Sequence, residues 1–337
     1  MNVTVSIKDV AARAKVSPAT VSRALAGGRV SATLRAKVDE AVEATGYRPN
    51  LSARRLRSQD SQTIGLIVAD ICNPFFTAVA RAVENAAYEA GLRVILCNTD
   101  ENPEKEAMYL QLMEEERVTG VIFAPTRATV GKLAQDHFNF PIVLIDRADA
   151  LGAHDAVVLD NAAAAALLVG HLHEQGYRRI VGLFGNASTT GLERQAGYEA
   201  AMRQFNLTPQ SRFLPPSSAA SEAELENWLN SPTPPEAVIG SNGLFLMGIV
   251  RALRKVGKTM PQDLAVVGFD NESWTELVGP GLTVIEQPVA EIGHTAMQLL
   301  MARLLDRNAP RRKIMLSGRC ILRGSSCPTE PTKGLAL

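Results

Sequence analysis

Residues 6–26 read SIKDVAARAKVSPATVSRALA, and the pattern predicts two short helices meeting at a tight turn. In the first, about Ile7 to Ala14, the residues Ile7, Val10, Ala11 and Ala14 recur at three- and four-residue spacing on one face, and their small size lets another helix approach closely. Lys15-Val16 makes the turn. Ser17 is a natural N-cap, and Pro18 takes the first helical position, where its missing N–H costs nothing. The second helix therefore starts at a defined residue and runs to about Ala26, where Gly27-Gly28 stops it. Val21 and Leu25 form its expected buried face. Ser17, Thr20, Ser22 and Arg23 form the other face, whose hydroxyls and guanidinium suit phosphates and base edges. Taken alone, these residues fit a DNA-reading element or a surface helix pair of an enzyme.

Outward from this stretch, Ser31 caps a third helix to Thr45, with Leu34, Val38, Ala41 and Val42 in register, and Gly46 ends it. Tyr47-Arg48-Pro49 forces an extended passage before Asn50, a second good N-cap. The segment after it, LSARRLRS, holds Arg54, Arg55 and Arg57 around Ala53 and Leu56. So short a helix does not persist alone in water. One reading is a helix that folds only against DNA and a twin, with Leu56 as a minor-groove wedge; the other is a plain basic linker.

The 337 residues suggest two or three domains, with ample apolar content for a large core. The net charge of zero conceals an asymmetry. Residues 1–60 carry eleven Lys and Arg against five Asp and Glu, leaving 24 basic against 30 acidic in the remainder. A basic head on a mildly acidic body fits a nucleic-acid-binding module attached to something else. No run of eighteen apolar residues exists and the first ten residues lack the apolar core of an export signal, so a cytoplasmic protein without membrane contact is expected. Cys72, Cys97, Cys320 and Cys327 show neither CxxC nor Cys/His ligand spacing; reduced thiols, no metal and no cofactor are expected. The five histidines lack any HExxH context, and no GxSxG or GxxxxGK[ST] occurs, so no catalytic set emerges.

From Thr63 onward apolar strands alternate with helices: TIGLIVAD, LRVILCN, GVIFAP and PIVLID, then IVGLF, AVIG and LAVVGFD. This predicts an α/β body of parallel sheets covered by helices on both faces, in two similar lobes with a cleft at the carboxyl ends of the strands. The expected boundaries are a helix-turn-helix head over 1–49, a hinge helix and linker over 50–62, a ligand-binding body over 63–324 and a disordered tail over 325–337. Within the body, a first lobe is expected over 63–160 plus 289–324 and a second over 161–288.

Candidate ligand residues sit at those strand ends. Asp70, Asn73, Phe75 and Phe76 follow the first strand; the polar pair suits hydroxyls and an aromatic face suits the C–H face of a sugar ring. Arg127, Asp146, Arg147, Asp160, Arg194, Asn242, Asp270 and Gln287 follow later strands or open later helices. Phe75 or Phe76 also fits a helix core, Arg127 a solvated position, and Asp160 a helix cap. Three arginines converging on one cleft favour a carboxylate or phosphate.

The head, through DVAARAKVSPATVSRAL, GYRPN and the N-x-x-A-x-x-L pattern of Asn50, Ala53 and Leu56, resembles the LacI/GalR family of bacterial transcription regulators. The body resembles the type I periplasmic-binding-protein fold that this family uses, through NPFF at 73–76, Asp146-Arg147, GYRRIVGLFG, PQDLAVVGFDN and IEQP at 285–288. The resemblance implies a regulator binding double-stranded operator DNA as a homodimer and sensing a small-molecule effector, a sugar or sugar acid, with a sugar phosphate or purine as the alternative. It places Pro18, Ala19 and Arg23 where the family reads bases, Leu56 where its hinge leucine opens a base step, and Arg194 and Asp270 where it holds effector. The helix bearing Val79, Val83, Ala86 and Ala87 is expected to supply part of the dimer surface. One departure stands out: where the family carries an Asn-Asp pair, this chain has Asn242-Gly243.

Overall fold

The structure is a computed structural model that describes residues 5–25, 28–47 and 61–327. It divides into two compact units, residues 1–61 and 62–337.

The head contains α1 (Ile7–Ala14), α2 (Pro18–Leu25) and α3 (Ala32–Thr45). Ser6 and Asp9 form a reciprocal cap at the start of α1, the Ser6 N–H and Oγ both donating to the Asp9 carboxylate at 2.8 Å. Lys15 ends α1 in the left-handed region at φ 55°, and the Ser17 Oγ accepts the Thr20 N–H at 3.1 Å to open α2. Val10, Ala11, Ala14, Val21, Ala24, Val38 and Ala41 form a small core. Ala24, rather than Leu25, shares the buried face of α2 with Val21, since Leu25 is only half-buried. The proposed hinge residues Asn50, Ala53, Arg54, Arg55, Leu56 and Arg57 lie outside the described residues.

The body begins with β1 (Thr63–Val68), α4 (Pro74–Glu89), β2 (Arg93–Asn98), α5 (Pro103–Glu115), β3 (Gly120–Phe123), α6 (Arg127–Leu133), β4 (Ile142–Ile145) and β5 (Asp155–Leu159). There follow α7 (Asn161–Glu174), β6 (Ile180–Gly185), α8 (Thr189–Gln204), β7 (Gln210–Leu214), α9 (Ser218–Leu229), β8 (Ala237–Gly240), α10 (Gly243–Lys255), β9 (Ala265–Phe269), α11 (Ser273–Leu277) and β10 (Thr283–Glu286). The last elements are α12 (Val289–Leu305), β11 (Lys313–Leu316) and β12 (Arg319–Ile321).

Two six-stranded sheets result, ordered β11-β5-β4-β3-β1-β2 and β12-β10-β9-β8-β6-β7. All pairings are parallel except β10 with β12. The central strands are buried along their whole length, as continuous apolar runs between two helical layers require. The chain passes between lobes three times, after β5, after β10 and after β11. The final segment therefore does not return whole to the first lobe: α12 and β11 do, whereas Arg319–Ile321 pairs with β10 in the second. Nor is Ser325 the start of a loose tail. Ser325 and Ser326 are fully buried, with the Ser325 Oγ accepting the Thr283 N–H at 2.9 Å and the Ser326 Oγ bonded to His171 at 2.8 Å.

On α4, Val79, Val83 and Ala87 are fully buried in the first-lobe core with Ile292 and Ala296 of α12. These three are consumed by packing within the chain, so they are core and not a dimer surface, while Ala86 is half-buried against the same core.

Candidate functional site

In the body, the carboxyl ends of both sheets face one another across a cleft, where strands stop and backbone groups become available to a ligand. The first lobe supplies Asp70, Asn73, Phe75, Phe76, Asp146 and Arg147; the second supplies Arg194, Asn242 and Asp270, with Gln287 at a crossing between lobes. The structure brings these ten predicted residues to one cavity. Arg127 and Asp160 do not line it. Arg127 opens α6 with an exposed side chain, so the expected trio of converging arginines is a pair. Asp160 is spent locally, its Oδ1 accepting the Ala163 N–H at 2.9 Å as the cap of α7.

Asn73 caps α4 by accepting the Phe75 N–H at 3.0 Å. This places Phe75 and Phe76 side by side, edge to face at 5.0 Å, both buried in the first-lobe core while lining the cleft. They are core and cleft wall at once.

Arg147 spends its whole guanidinium inside the first lobe. Nη1 and Nη2 donate to Glu101 at 2.9 and 2.5 Å, Nη1 also to the Pro125 carbonyl at 2.7 Å, and Nε to Asp146 at 3.2 Å. Burial alone would lower the Arg147 pKa, but Glu101, and then Asp146, hold it above its ordinary value. Arg194 differs. Its Nε donates to Asn161 Oδ1 at 2.8 Å, its Nη1 to the Ser241 carbonyl at 2.5 Å, and its plane lies over Phe269. No carboxylate lies within ion-pair distance of it among the described residues, and burial pushes its pKa down despite the charges of Asp270 and Asp146. Burial likewise pushes the Asp146 carboxyl up, more than Arg147 and Arg194 pull it down.

Asp270 is held by its surroundings: Oδ2 accepts the Gly243 N–H at 3.0 Å and Oδ1 the Gln287 Nε2 at 2.6 Å. Asp146 and Asp270 both adopt positive φ, 65° and 78°, and Glu101 does so at 56°. Three carboxylates at strand ends in this sparsely populated region are a strain concentrated around the cleft. The cavity itself measures about 60 Å³, below the ~300–1,000 Å³ of ordinary small-molecule sites. The lobes stand nearly closed, and a hydrogen bond from the Arg127 N–H to the Ala187 carbonyl at 3.2 Å joins them at the rim.

Sequence reasoning missed Glu101, Ser188 and Thr190. Glu101 sits three residues past the end of β2, and only the fold shows that this turn reaches Arg147. Ser188 and Thr190 share a hydrogen bond at 2.6 Å around the N-terminus of α8; the capping pattern SxxG at 188–191 was the available signal.

In the separate head, Ser17, Pro18, Ala19 and Arg23 are exposed and Thr20 and Ser22 half-buried, so the predicted reading face of α2 is open to solvent. Gly28 lies against Arg23, where an added Cβ would come within 2.7 Å of the arginine Cγ.

Comparison with known proteins agrees with both units. Residues 6–50 match the family model described as bacterial regulatory proteins, lacI family, and residues 169–326 match a periplasmic binding protein-like domain. The chain is 34% identical to the HTH-type transcriptional regulator PtxS of Pseudomonas putida, over 96% of each chain. It is also 34% identical to a ribose operon repressor of Halalkalibacterium halodurans, over 98% of this chain and 97% of that one. Among solved structures it resembles the lac repressor dimer bound to operator and the anti-inducer ONPF, with a TM-score of 0.86, 25% identity, and coverage of 96% of this chain and 100% of the other.

Proposed function

This chain belongs to the LacI family of bacterial regulatory proteins, and from that premise we propose that it represses transcription until a small carbohydrate enters the interlobe cleft. Its relatives are transcriptional regulators and repressors, and sugar-responsive repression fits the chain. The observation that carries the reading is the composition of the cleft. Both lobes contribute to its walls, so a ligand that touches both favours one lobe arrangement over others, and differential affinity of this kind shifts a two-state equilibrium. Asp270, Asn242, Gln287 and Asp70 offer hydrogen-bonding groups for hydroxyls, and Phe75 or Phe76 a flat apolar face. The proposal includes a cytoplasmic, non-enzymatic protein without membrane association; no described helix is long and apolar enough to cross a membrane.

Ser17, Thr20, Ser22 and Arg23, with Pro18 and Ala19 offering methylene and methyl contact, form the proposed DNA-reading face. Asn50, Ala53, Arg54, Arg55, Leu56 and Arg57 are proposed to form the hinge helix. A single small head makes few contacts, so a homodimer on a near-palindromic operator is part of the reading. Tyr88, Leu96 and Met108, exposed beside the β2 edge of the first lobe, are large apolar groups suited to that contact.

A sugar acid is a second reading, favoured by one observation: Arg194 is a buried cation with no carboxylate at ion-pair distance among the described residues. Titration calorimetry with matched neutral and oxidised sugars separates the two, tighter binding of the acid supporting it and equal binding removing it. The function is tested by a thermal-shift screen of sugars and sugar acids followed by operator binding with each hit. Failure of every carbohydrate to release DNA would sink the reading.

A further inference from the structure

Glu106 lies on α5, does not line the cleft, and is fully buried. Both of its carboxylate oxygens face one residue of the turn that follows β3: Oε1 accepts the Thr126 N–H at 2.5 Å and Oε2 accepts the Thr126 hydroxyl at 2.7 Å. Bonds to a charged acceptor are the strong ones, and two of them on a single residue fix both its position and the plane of its peptide. Thr126 in turn caps α6, its Oγ accepting the Thr129 N–H at 3.3 Å.

The neighbours of Thr126 serve two different lobes. On one side the Pro125 carbonyl accepts Arg147 Nη1 at 2.7 Å, and Arg147 lines the cleft. On the other the Arg127 N–H crosses to the Ala187 carbonyl at 3.2 Å in the second lobe, where Ala187 and Ser188, the cap of α8, also line the cleft. This crossing contact is offset from the hinges. The passages between lobes leave β5, β10 and β11, which occupy the first two places of their sheet orders, whereas Arg127 and Ala187 follow β3 and β6, in the fourth and fifth places. At about 4.8 Å per strand the contact stands roughly 10–15 Å from those passages, so opening about the hinges separates Arg127 from Ala187.

We propose that the Pro125–Arg127 turn latches the closed body and that Glu106 positions the latch, aiming the Arg127 N–H at Ala187 without touching ligand. Glu106 thereby sets the population of the closed arrangement, and a ligand that spans both lobes binds more tightly the larger that population is. The consequence for ligand rests on the carbohydrate reading. The latch itself does not, because it forms within the unliganded chain.

Peptide-resolved hydrogen exchange on the full-length chain, without ligand or DNA, tests the proposal. Arg127 opens α6 at the position where proline is tolerated, and Thr126 before it is extended at φ −64° and ψ 160°, as a residue preceding proline must be. Arg127→Pro therefore deletes the crossing donor and leaves α6 its cap. Exchange at 186–191, in the lobe that carries no substitution, should quicken about fivefold, the weight of one hydrogen bond. Glu106→Ala should do the same, and Glu106→Gln, which keeps an acceptor for the Thr126 N–H, should stay near wild type. Should Glu106→Ala unfold, Glu106→Asp, which keeps the charge but withdraws it by one methylene, takes its place. Unchanged exchange at 186–191 in Arg127→Pro would overturn the latch, and loosening confined to the first lobe in Glu106→Ala or Glu106→Asp would overturn the positioning role. Failure of every carbohydrate to bind would leave these results standing, so the two readings fail separately.

Discussion

The guanidinium carbon of Arg194 lies 4.0 Å from the centre of the Phe269 ring. The ring belongs to the last residue of β9 and the arginine to the second turn of α8, so the contact ties the cation to the floor of the second lobe. With Nε on Asn161 and Nη1 on Ser241, the side chain is held in one pose before any ligand arrives. That is the condition under which a charged group gives affinity without an ordering cost.

Arg194→Lys therefore keeps the charge and loses the fork and the stacking. Effector affinity should fall by about 2 kcal/mol, the worth of a hydrogen bond to a charged group. Calorimetry with the sugar that wild type binds best measures this, and unaltered affinity would show that Arg194 only braces the second lobe.

Gly243→Asp places an acidic side chain against Glu272 and beside Asp270. The clash and like charge should cost about 1–3 kcal/mol in urea unfolding. Glu272→Ser in the same chain should recover most of that loss. Equal damage with and without the second change would break the link between the two positions.

Arg303 and Asp155 pair at 2.7 and 2.9 Å with both side chains almost wholly buried, and Asp155 Oδ1 also accepts the Arg312 N–H at 2.8 Å. Removing one partner strands a buried charge. Asp155→Asn should lower stability by about 3–5 kcal/mol, read as a lower urea midpoint with little change in slope. A shift below 1 kcal/mol would indicate that water reaches Arg303.

The two-lobed α/β plan was legible because continuous apolar strands and capped helices are local signals; β1, β6 and β9 are short apolar runs that no helix face would need. The strand-end rule then named ten residues that share the cleft. Three kinds of statement escaped. Arg127 faces solvent because a helix-opening residue can point away from the axis of the strand that precedes it. The Val79-Val83-Ala87 stripe is intelligible as core only when α12 is seen returning across α4, a contact over two hundred residues apart in sequence. Ser325 looked like tail by composition, yet its backbone and hydroxyl bond Gly281, Val266 and Thr283, with Ser326 bonding His171 beside it, and composition does not register such hydrogen bonds.

His171 and His154 are both held below the ordinary histidine value of 6.5, by burial first, with Glu174 opposing it at His171 and Asp149 at His154. A histidine kept neutral in the fold binds its proton more readily once unfolded. Their cost is absent above the unfolded value and grows as pH falls below 6.5. The melting temperature should drop below that pH, and His171→Gln, which retains a partner for Ser326, should flatten part of the decline. An unaltered profile in the variant would remove His171 from the explanation.

The central claim is that occupancy of the cleft controls the grip of the head on DNA. The most direct measurement is the affinity of the full-length protein for its operator duplex, by fluorescence anisotropy, without and with the carbohydrate that raises its melting temperature most. Operator affinity should fall about tenfold or more with the sugar present, while affinity for a scrambled duplex stays the same. Identical operator affinity at saturating sugar would contradict the account.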